Sequence, residues 1–331
     1  MVNADRFAIT LDHVTKRFGS VTAVSDVSFA VAAGEICVVI GPSGSGKTTV
    51  LKMINRVIEP TQGSIRVRDR DIRTQDVVEL RRSIGYVIQH VGLFPHMSIA
   101  ENIAIPLRLR GSARAARRAR ATELLDLVGL DSTLLDRRPR ELSGGQQQRV
   151  GVARALAGDP DIILMDEPFG AVDPLLRRQL QRELKQIQQR VHKTIVLVTH
   201  DLAEAFLLAD RLIVMKDGCV VQQGTPRTLI LSPQDTFVRK FISDIRATDV
   251  LRLTCLRDIA GADGPNLGEA QELPGNMSLL SALETIARRP ADALGTGAFN
   301  LIDDAGAPFA TIRLGEILQA IVRIVVKEPA S

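Results

Sequence analysis

Gly41-Pro42-Ser43-Gly44-Ser45-Gly46-Lys47-Thr48-Thr49 decides how the rest of this chain is read. Before it runs Glu35-Ile36-Cys37-Val38-Val39-Ile40, a short β-branched apolar run that predicts a buried strand. After it runs Val50-Leu51-Lys52-Met53-Ile54, which predicts the first turns of a helix. Strand, glycine-rich loop, helix is the setting in which G-x-x-x-x-G-K-T works as a P-loop. The glycines let successive backbone N–H groups curl around a phosphate chain, because no Cβ stands in the way. The helix N-terminus adds the positive end of its dipole. Lys47 is placed to reach the β- and γ-phosphates of a nucleotide, and the Thr48 hydroxyl is a magnesium ligand.

At 331 residues the chain has room for one large domain and a smaller one. Its 45% apolar and 24% charged residues are those of a folded globular protein. A net charge of +4 is too modest to argue for a nucleic-acid partner. Cys37, Cys219 and Cys255 stand far apart with no metal-ligand spacing and suit reduced thiols in a cytosolic protein. Met1-Val2-Asn3-Ala4-Asp5-Arg6 has no basic-then-apolar signal pattern, and no apolar run approaches the roughly 18 residues that would span a bilayer. Service to a membrane process is therefore expected to be that of a peripheral subunit.

The flanks fill in the picture. Residues 7–18 and 21–31 alternate as two or three strands, turning at Gly19-Ser20. Phe18 lies upstream of the loop, where an aromatic ring either stacks on an adenine face or packs in the core. Ser64–Arg68 reads as a strand. Ile84-Gly85-Tyr86-Val87-Ile88-Gln89 is another buried strand. Its terminal Gln89 offers an amide to magnesium or to an attacking water, or is simply a polar strand end. The apolar loop 90–98 would suit a partner surface if exposed. From 99 to 130 the pattern turns helical, opened by Ser98 with Glu101 three residues on, a capping-box arrangement, and closed by Gly129. The arginines of 108–120 read as a solvated helix face or as a surface near anionic headgroups.

Leu142-Ser143-Gly144-Gly145-Gln146-Gln147-Gln148-Arg149 is a second glycine-rich stretch that opens a helix, hence a second anion site at a helix N-terminus. One chain needs only one phosphate cradle. A head-to-tail dimer, in which each chain's Ser-Gly-Gly closes on the γ-phosphate held by its partner, gives the second a purpose. Asp161-Ile162-Ile163-Leu164-Met165-Asp166-Glu167 is an apolar strand ending in two carboxylates. After a P-loop, Asp166 is expected to hold magnesium and Glu167 to act as general base on water. The loop to Asp173 brings another carboxylate near, and Pro174 starts a helix over 175–191. Thr194-Ile195-Val196-Leu197-Val198-Thr199-His200 is the fourth buried strand with a polar end, at the edge where open α/β sheets bind ligands. His200 there can hydrogen-bond a γ-phosphate or orient the water. A hairpin over 211–224 turns at Asp217-Gly218, and a short helix starts at Thr225-Pro226.

With Gln89, Leu142–Gln146, Asp166-Glu167 and His200 in this order, residues 7–245 resemble an ABC-transporter ATP-binding subunit. The resemblance implies an α/β fold: a P-loop NTPase ABC ATPase domain over 1–246, with a mixed-sheet core and a helical subdomain at about 91–156. It also implies that Phe18 stacks on adenine, Gln89 is the Q-loop residue, Asp173 the D-loop carboxylate and His200 the switch histidine. ATP and Mg²⁺ would be bound, and the ATP-bound state would be a homodimer. Where many members have Ser-Ala-Leu-Asp at the D-loop, this chain has Gly170-Ala171-Val172-Asp173, which leaves no hydroxyl there. A closer similarity is to the ATPases of osmoprotectant importers, carried by Lys52–Arg56, Ile84–Gln89, Val91–Met97, Asp166–Pro174 and Asp235–Phe241. It implies a peripheral subunit on the cytoplasmic face of the cell membrane, working with integral permease subunits and an extracytoplasmic solute-binding protein. Glycine betaine or choline would be the solute, or else another small solute such as an amino acid.

Past residue 247 the composition changes. Residues 258–275 read as a Gly-, Ala- and Pro-rich linker, 277–286 as an amphipathic helix, 300–309 as strand, turn, strand, and Leu314–Val326 as a last helix. That order is similar to one cystathionine-β-synthase (CBS) repeat, giving a small α+β regulatory region at 247–331, or else a tail that packs on the ATPase domain. A soluble ABC ATPase of DNA repair would need a long coiled coil between Lys47 and Ser143, and one of translation a second cassette. This sequence has neither. A regulator without turnover would not need Asp166, Glu167 and His200.

Overall fold

The computed structural model describes residues 7–89, 92–170, 172–243, 250–252, 254–260, 271–288, 297–303 and 305–326. Chain contacts divide it into two compact units, 1–229 with 233–238, and 230–232 with 239–331. The division expected at 246/247 falls among residues outside the described set, and the contact boundary lies a few residues earlier.

Two sheets form the large unit. β1 (Phe7–Phe18) and β2 (Val21–Ala32) pair antiparallel, and β1 also pairs with β4 (Gln62–Val67), which pairs with β5 (Arg70–Asp71). The second sheet is built on β3 (Ile36–Ile40), with β6 (Ile84–Val87), β7 (Ile162–Asp166), β8 (Thr194–Val198), β9 (Arg211–Lys216) and β10 (Cys219–Gly224). Its order is β10-β9-β3-β8-β7-β6, parallel except for the β9–β10 hairpin. Every residue of β3, β7 and β8 is buried. That is why these strands read as continuous apolar runs rather than as alternation. Helix α1 (Lys47–Ile54) lies between the sheets, and Val50, Leu51, Met53 and Ile54 share one core with Ile9 and Val27 of one sheet and Val39, Leu164 and Val196 of the other.

The helical pattern of 99–130 is three helices, not one: α3 (Ile99–Ile103), α4 (Ile105–Leu109) and α5 (Arg114–Leu127). Pro106 has no N–H for a continuing ladder and sits in the first turn of α4, while Gly111, at φ 76°, ends it. The capping box of Ser98 and Glu101 is present at the start of α3. Buried Asn102 then staples the preceding loop, accepting from Phe94 N at 2.7 Å and donating to Phe94 O at 3.1 Å and Ser98 O at 3.0 Å. Farther along the chain come α6 (Gly144–Leu156), α7 (Pro174–Val191) and α8 (Leu202–Leu208). A short helix, α2 (Val77–Ser83), precedes β6.

The small unit holds β11 (Gln271–Pro274), β12 (Ala298–Ile302) and β13 (Pro308–Arg313), in that order, with β11 and β12 parallel and β13 antiparallel to β12. Leu279–Ala287 is the crossover helix of that parallel pair, and Leu314–Val326 closes the unit. Phe299, Leu301, Ile312, Leu279 and Ile317 are its buried centre. The strand at 271–274 lies inside the stretch expected to be linker. Residues 261–270 of that stretch are outside the described set.

Candidate functional site

The parallel strands β3, β8, β7 and β6 are neighbours, so their C-terminal ends open on one edge. The glycine loop leaves β3 at Gly41, at φ 154°, where a Cβ would stand 2.1 Å from the Met215 carbonyl oxygen of β9. Gly46, at φ 95°, would drive a Cβ to 2.6 Å from the Ala23 carbonyl oxygen of β2. At both positions a side chain would meet backbone, so only glycine lets the loop curl this closely. Gly46 is also the N-cap of α1 and supplies no side-chain acceptor to the helix's first N–H groups. Those donors are left to a ligand in the loop.

Lys47 is 7% exposed and folds back over the loop, its Nζ donating to Gly41 O at 2.9 Å and Pro42 O at 2.8 Å. Burial holds its pKa below the usual lysine value, against the opposing pull of Glu167 and Asp166. The Thr48 hydroxyl donates to Asp166 Oδ1 at 3.0 Å. Burial raises the Asp166 pKa, with the Thr48 bond acting against it. Ser45 is buried, and its hydroxyl has no hydrogen-bond partner among the described residues.

Glu167 sits on the next residue of the β7 edge in a left-handed conformation, φ 44°. Such a conformation costs a non-glycine residue about 1–3 kcal/mol and persists only where neighbours hold it. Here its N–H donates to Val198 O at 2.9 Å and its carbonyl accepts from Gly170 N at 3.1 Å. Two side chains close on its carboxylate: Gln89 Nε2 donates to Oε2 at 3.0 Å, and His200 Nδ1 lies 3.1 Å from Oε1. Residues from the ends of β6, β7 and β8 thus meet on one carboxylate. His200 faces the Glu167 carboxylate directly, a partner its place at a strand end does not by itself announce.

Phe18 stands at the end of β1, 47% exposed, with Lys16 Nζ 4.9 Å from its ring centroid. An open aromatic face on the hairpin that also carries Ala23 can receive a purine. Asp173 is exposed in the turn before α7. Ser143 caps α6: its Oγ accepts from Gln146 N at 3.3 Å, and its own N–H donates to Gln146 Oε1 at 2.9 Å. Gly144 faces open space, whereas Gly145 is buried, and a Cβ there would lie 2.4 Å from Leu176 Cδ2. Gly145 is therefore also a packing glycine, letting α6 approach α7. This stretch opens on its own cavity of about 360 Å³, and no residue of 41–49 lines that cavity.

One part of the site escaped the sequence reading. Behind His200, Asp201 caps α8, and Arg177 of α7 reaches it at 3.3 Å. Asp201-x-x-Glu204 has the spacing of a capping box. Yet Asp201 N donates to Thr199 Oγ1 at 3.0 Å, and Glu204 turns inward, 3% exposed. Burial and the nearby Asp201 push the Glu204 carboxyl up to about 8.

The family model described as ABC transporter matches residues 24–170. The glycine betaine uptake system ATP-binding protein YehX of Escherichia coli (strain K12) is 45% identical over 317 residues, 94% of this chain and 99% of that protein. The chain belongs to the ATP-binding subunits of ABC transporters. The choline transport ATP-binding protein OpuBA of Bacillus subtilis (strain 168) is 53% identical over 239 residues, 72% of this chain but 63% of that protein. This chain therefore spans less than two thirds of the choline relative's length. A solved dimer of the ATP-binding cassette MJ0796, in a post-hydrolysis state with ADP and Pi, is 36% identical with a TM-score of 0.60 and covers 66% of this chain and 98% of its own. An ABC ATP-binding subunit binds ATP. Among the described residues, no helix is long and apolar enough to cross a membrane.

For an ABC subunit the cavity beside Ser143 has an expected use, testable by complementation. Ser143→Arg alone should abolish ATP-driven dimerisation seen by light scattering. Mixed with Lys47→Ala chains it should recover one composite site per heterodimer and part of the hydrolysis. Dimers of Ser143→Arg that form as well as wild type would place the stretch outside the partner's site.

Proposed function

We propose that this chain is the ATP-hydrolysing subunit of an importer of quaternary-ammonium osmoprotectants such as glycine betaine or choline. The end-to-end similarity to a glycine betaine uptake protein carries this reading. The relatives named for choline and carnitine transport support the same solute class.

In this reading Gly41, Pro42, Ser43, Gly44, Ser45, Gly46, Lys47, Thr48 and Thr49 cradle the triphosphate, and Phe18 takes the adenine. The unpartnered Ser45 hydroxyl and the uncapped N-terminus of α1 are donors that suit a phosphate oxygen. Thr48 and Asp166 offer hard oxygen ligands 3.0 Å apart, and with Gln89 they would hold Mg²⁺. The bound ion would neutralise charge that builds on the phosphates in the transition state. Glu167, held in place by Gln89 and His200, takes the proton of the attacking water as its oxygen bonds the γ-phosphorus and the bond to the ADP oxygen breaks. Closure onto a second chain brings Ser143, Gly144, Gly145 and Gln146 to the γ-phosphate, with Asp173 beside it.

A groove of about 450 Å³ suits the permease subunit. Phe94 and Leu109, 44% and 61% exposed, stand on its rim, and Arg81, Arg82 and Arg110 line it. An amphipathic cytoplasmic segment with an acidic end fits such a surface. The subunit would be peripheral on the cytoplasmic face, fed by an extracytoplasmic binding protein. The small unit would be regulatory, as one CBS-like repeat.

Uptake of labelled glycine betaine into vesicles that hold this chain and its permease tests the reading. ATP inside should drive accumulation, and unlabelled choline should compete. ATP-driven uptake of an amino acid without betaine competition would replace the solute class.

A further inference from the structure

Two loops flank the Glu167 carboxylate from behind, the one that leads to Asp173 and the one that carries His200. Arg177 touches both. Its Nη2 donates to the Val172 carbonyl oxygen at 3.2 Å, and its Nη1 donates to Asp201 Oδ2 at 3.3 Å. The pair is largely sheltered, with side chains 26% and 30% exposed. Asp201 is fixed in turn. Its Oδ1 accepts from Glu204 N at 3.0 Å, and its own N–H is bound to Thr199 Oγ1. Beneath the pair lies buried Glu204, to which Gln181 of α7 donates at 3.5 Å.

We propose that Arg177 is a positioning residue that clamps these two loops together, so that His200 over Glu167 and the turn carrying Asp173 move as one. Guanidinium geometry explains the residue type. A planar fork serves two acceptors on different loops at once, which an ammonium on a flexible stem does less well. A shared contact of this kind makes the energetic effects of its two ends non-additive. The proposal rests on the hydrolase reading only for its kinetic consequence. The clamp itself is a property of the chain without nucleotide.

Hydrogen–deuterium exchange on the nucleotide-free full chain tests the clamp independently of activity. Asp201→Asn keeps a capping oxygen for α8 but removes the charge. It should speed exchange at the Gly170 and Val172 amides, which Asp201 does not touch. With Arg177→Ala already present, Asp201→Asn should add nothing there. Arg177→Lys should resemble Arg177→Ala rather than wild type, and it keeps the test alive if the alanine variant does not fold. Faster exchange confined to residues 199–204 would overturn the clamp, as would a lysine variant indistinguishable from wild type. In steady-state hydrolysis, Arg177→Lys should lower kcat by about tenfold with ATP affinity within about twofold. Absence of hydrolysis in the wild type would strike the functional reading and leave the exchange result standing.

Discussion

Glu167→Gln will bind ATP and almost cease to hydrolyse it. The amide is nearly isosteric with the carboxylate and can still meet Gln89 or His200, whose contacts at 3.0 and 3.1 Å hold the wild-type group. It cannot accept a proton from water. General-base catalysis contributes about 10²–10⁴-fold, and a loss of that size in phosphate release is expected. An equilibrium titration with a fluorescent ATP analogue should show affinity close to wild type. The variant should also accumulate as an ATP-bound dimer on size exclusion, because the closed state has no chemical exit. Near-normal turnover would take Glu167 out of the mechanism.

Lys47→Ala acts one step earlier. The ammonium sits in a loop that supplies carbonyls at 2.8 and 2.9 Å, so it is already aimed where phosphate charge will stand. A charge-assisted hydrogen bond is worth about 1.5–3 kcal/mol, and each 1.4 kcal/mol is tenfold in affinity. Loss of one such contact predicts ATP binding weaker by about a hundredfold, read by calorimetry. Lys47→Arg should not restore it, since a wider fork needs room that a 7%-exposed position lacks. Unchanged affinity in Lys47→Ala would reduce Lys47 to a staple of its own loop.

The strands and the loop motifs were legible because their physics is local. Full burial on both faces turns β3, β7 and β8 into apolar runs, and the polar residues at their ends mark the sheet's open edge. Which strand neighbours which was not legible. That order follows from the packing of distant segments, as when Ile36 pairs with Ile195 and Cys37 with Arg211. The single helical reading of 99–130 gave too little weight to Pro106 and Gly111. The strand at 271–274 hid behind its own Pro274 and Gly275, residues that mark turns more often than strands. The contact of His200 with Glu167 could not be read because it depends on where two strand ends come to rest. Arg177 sits near the start of a strongly amphipathic helix, where an arginine looks like one more solvated charge. Only the fold shows that it faces two loops.

The place of β3 in its sheet has a consequence for how the protein is made. Its neighbours are β8 and β9, which leave the ribosome long after it. A nascent chain that has reached Glu167 already carries the entire glycine loop and both strand-end carboxylates. The segment that separates β3 from β7 in the finished sheet, Thr194–Val198, has still to be synthesised. Until it inserts, an apolar strand waits without a partner and the carboxylates of Asp166 and Glu167 have no lysine near them. Non-local pairings of this kind are slow to close. Translation must therefore run past His200 before this subunit has a sheet on which to hold a nucleotide.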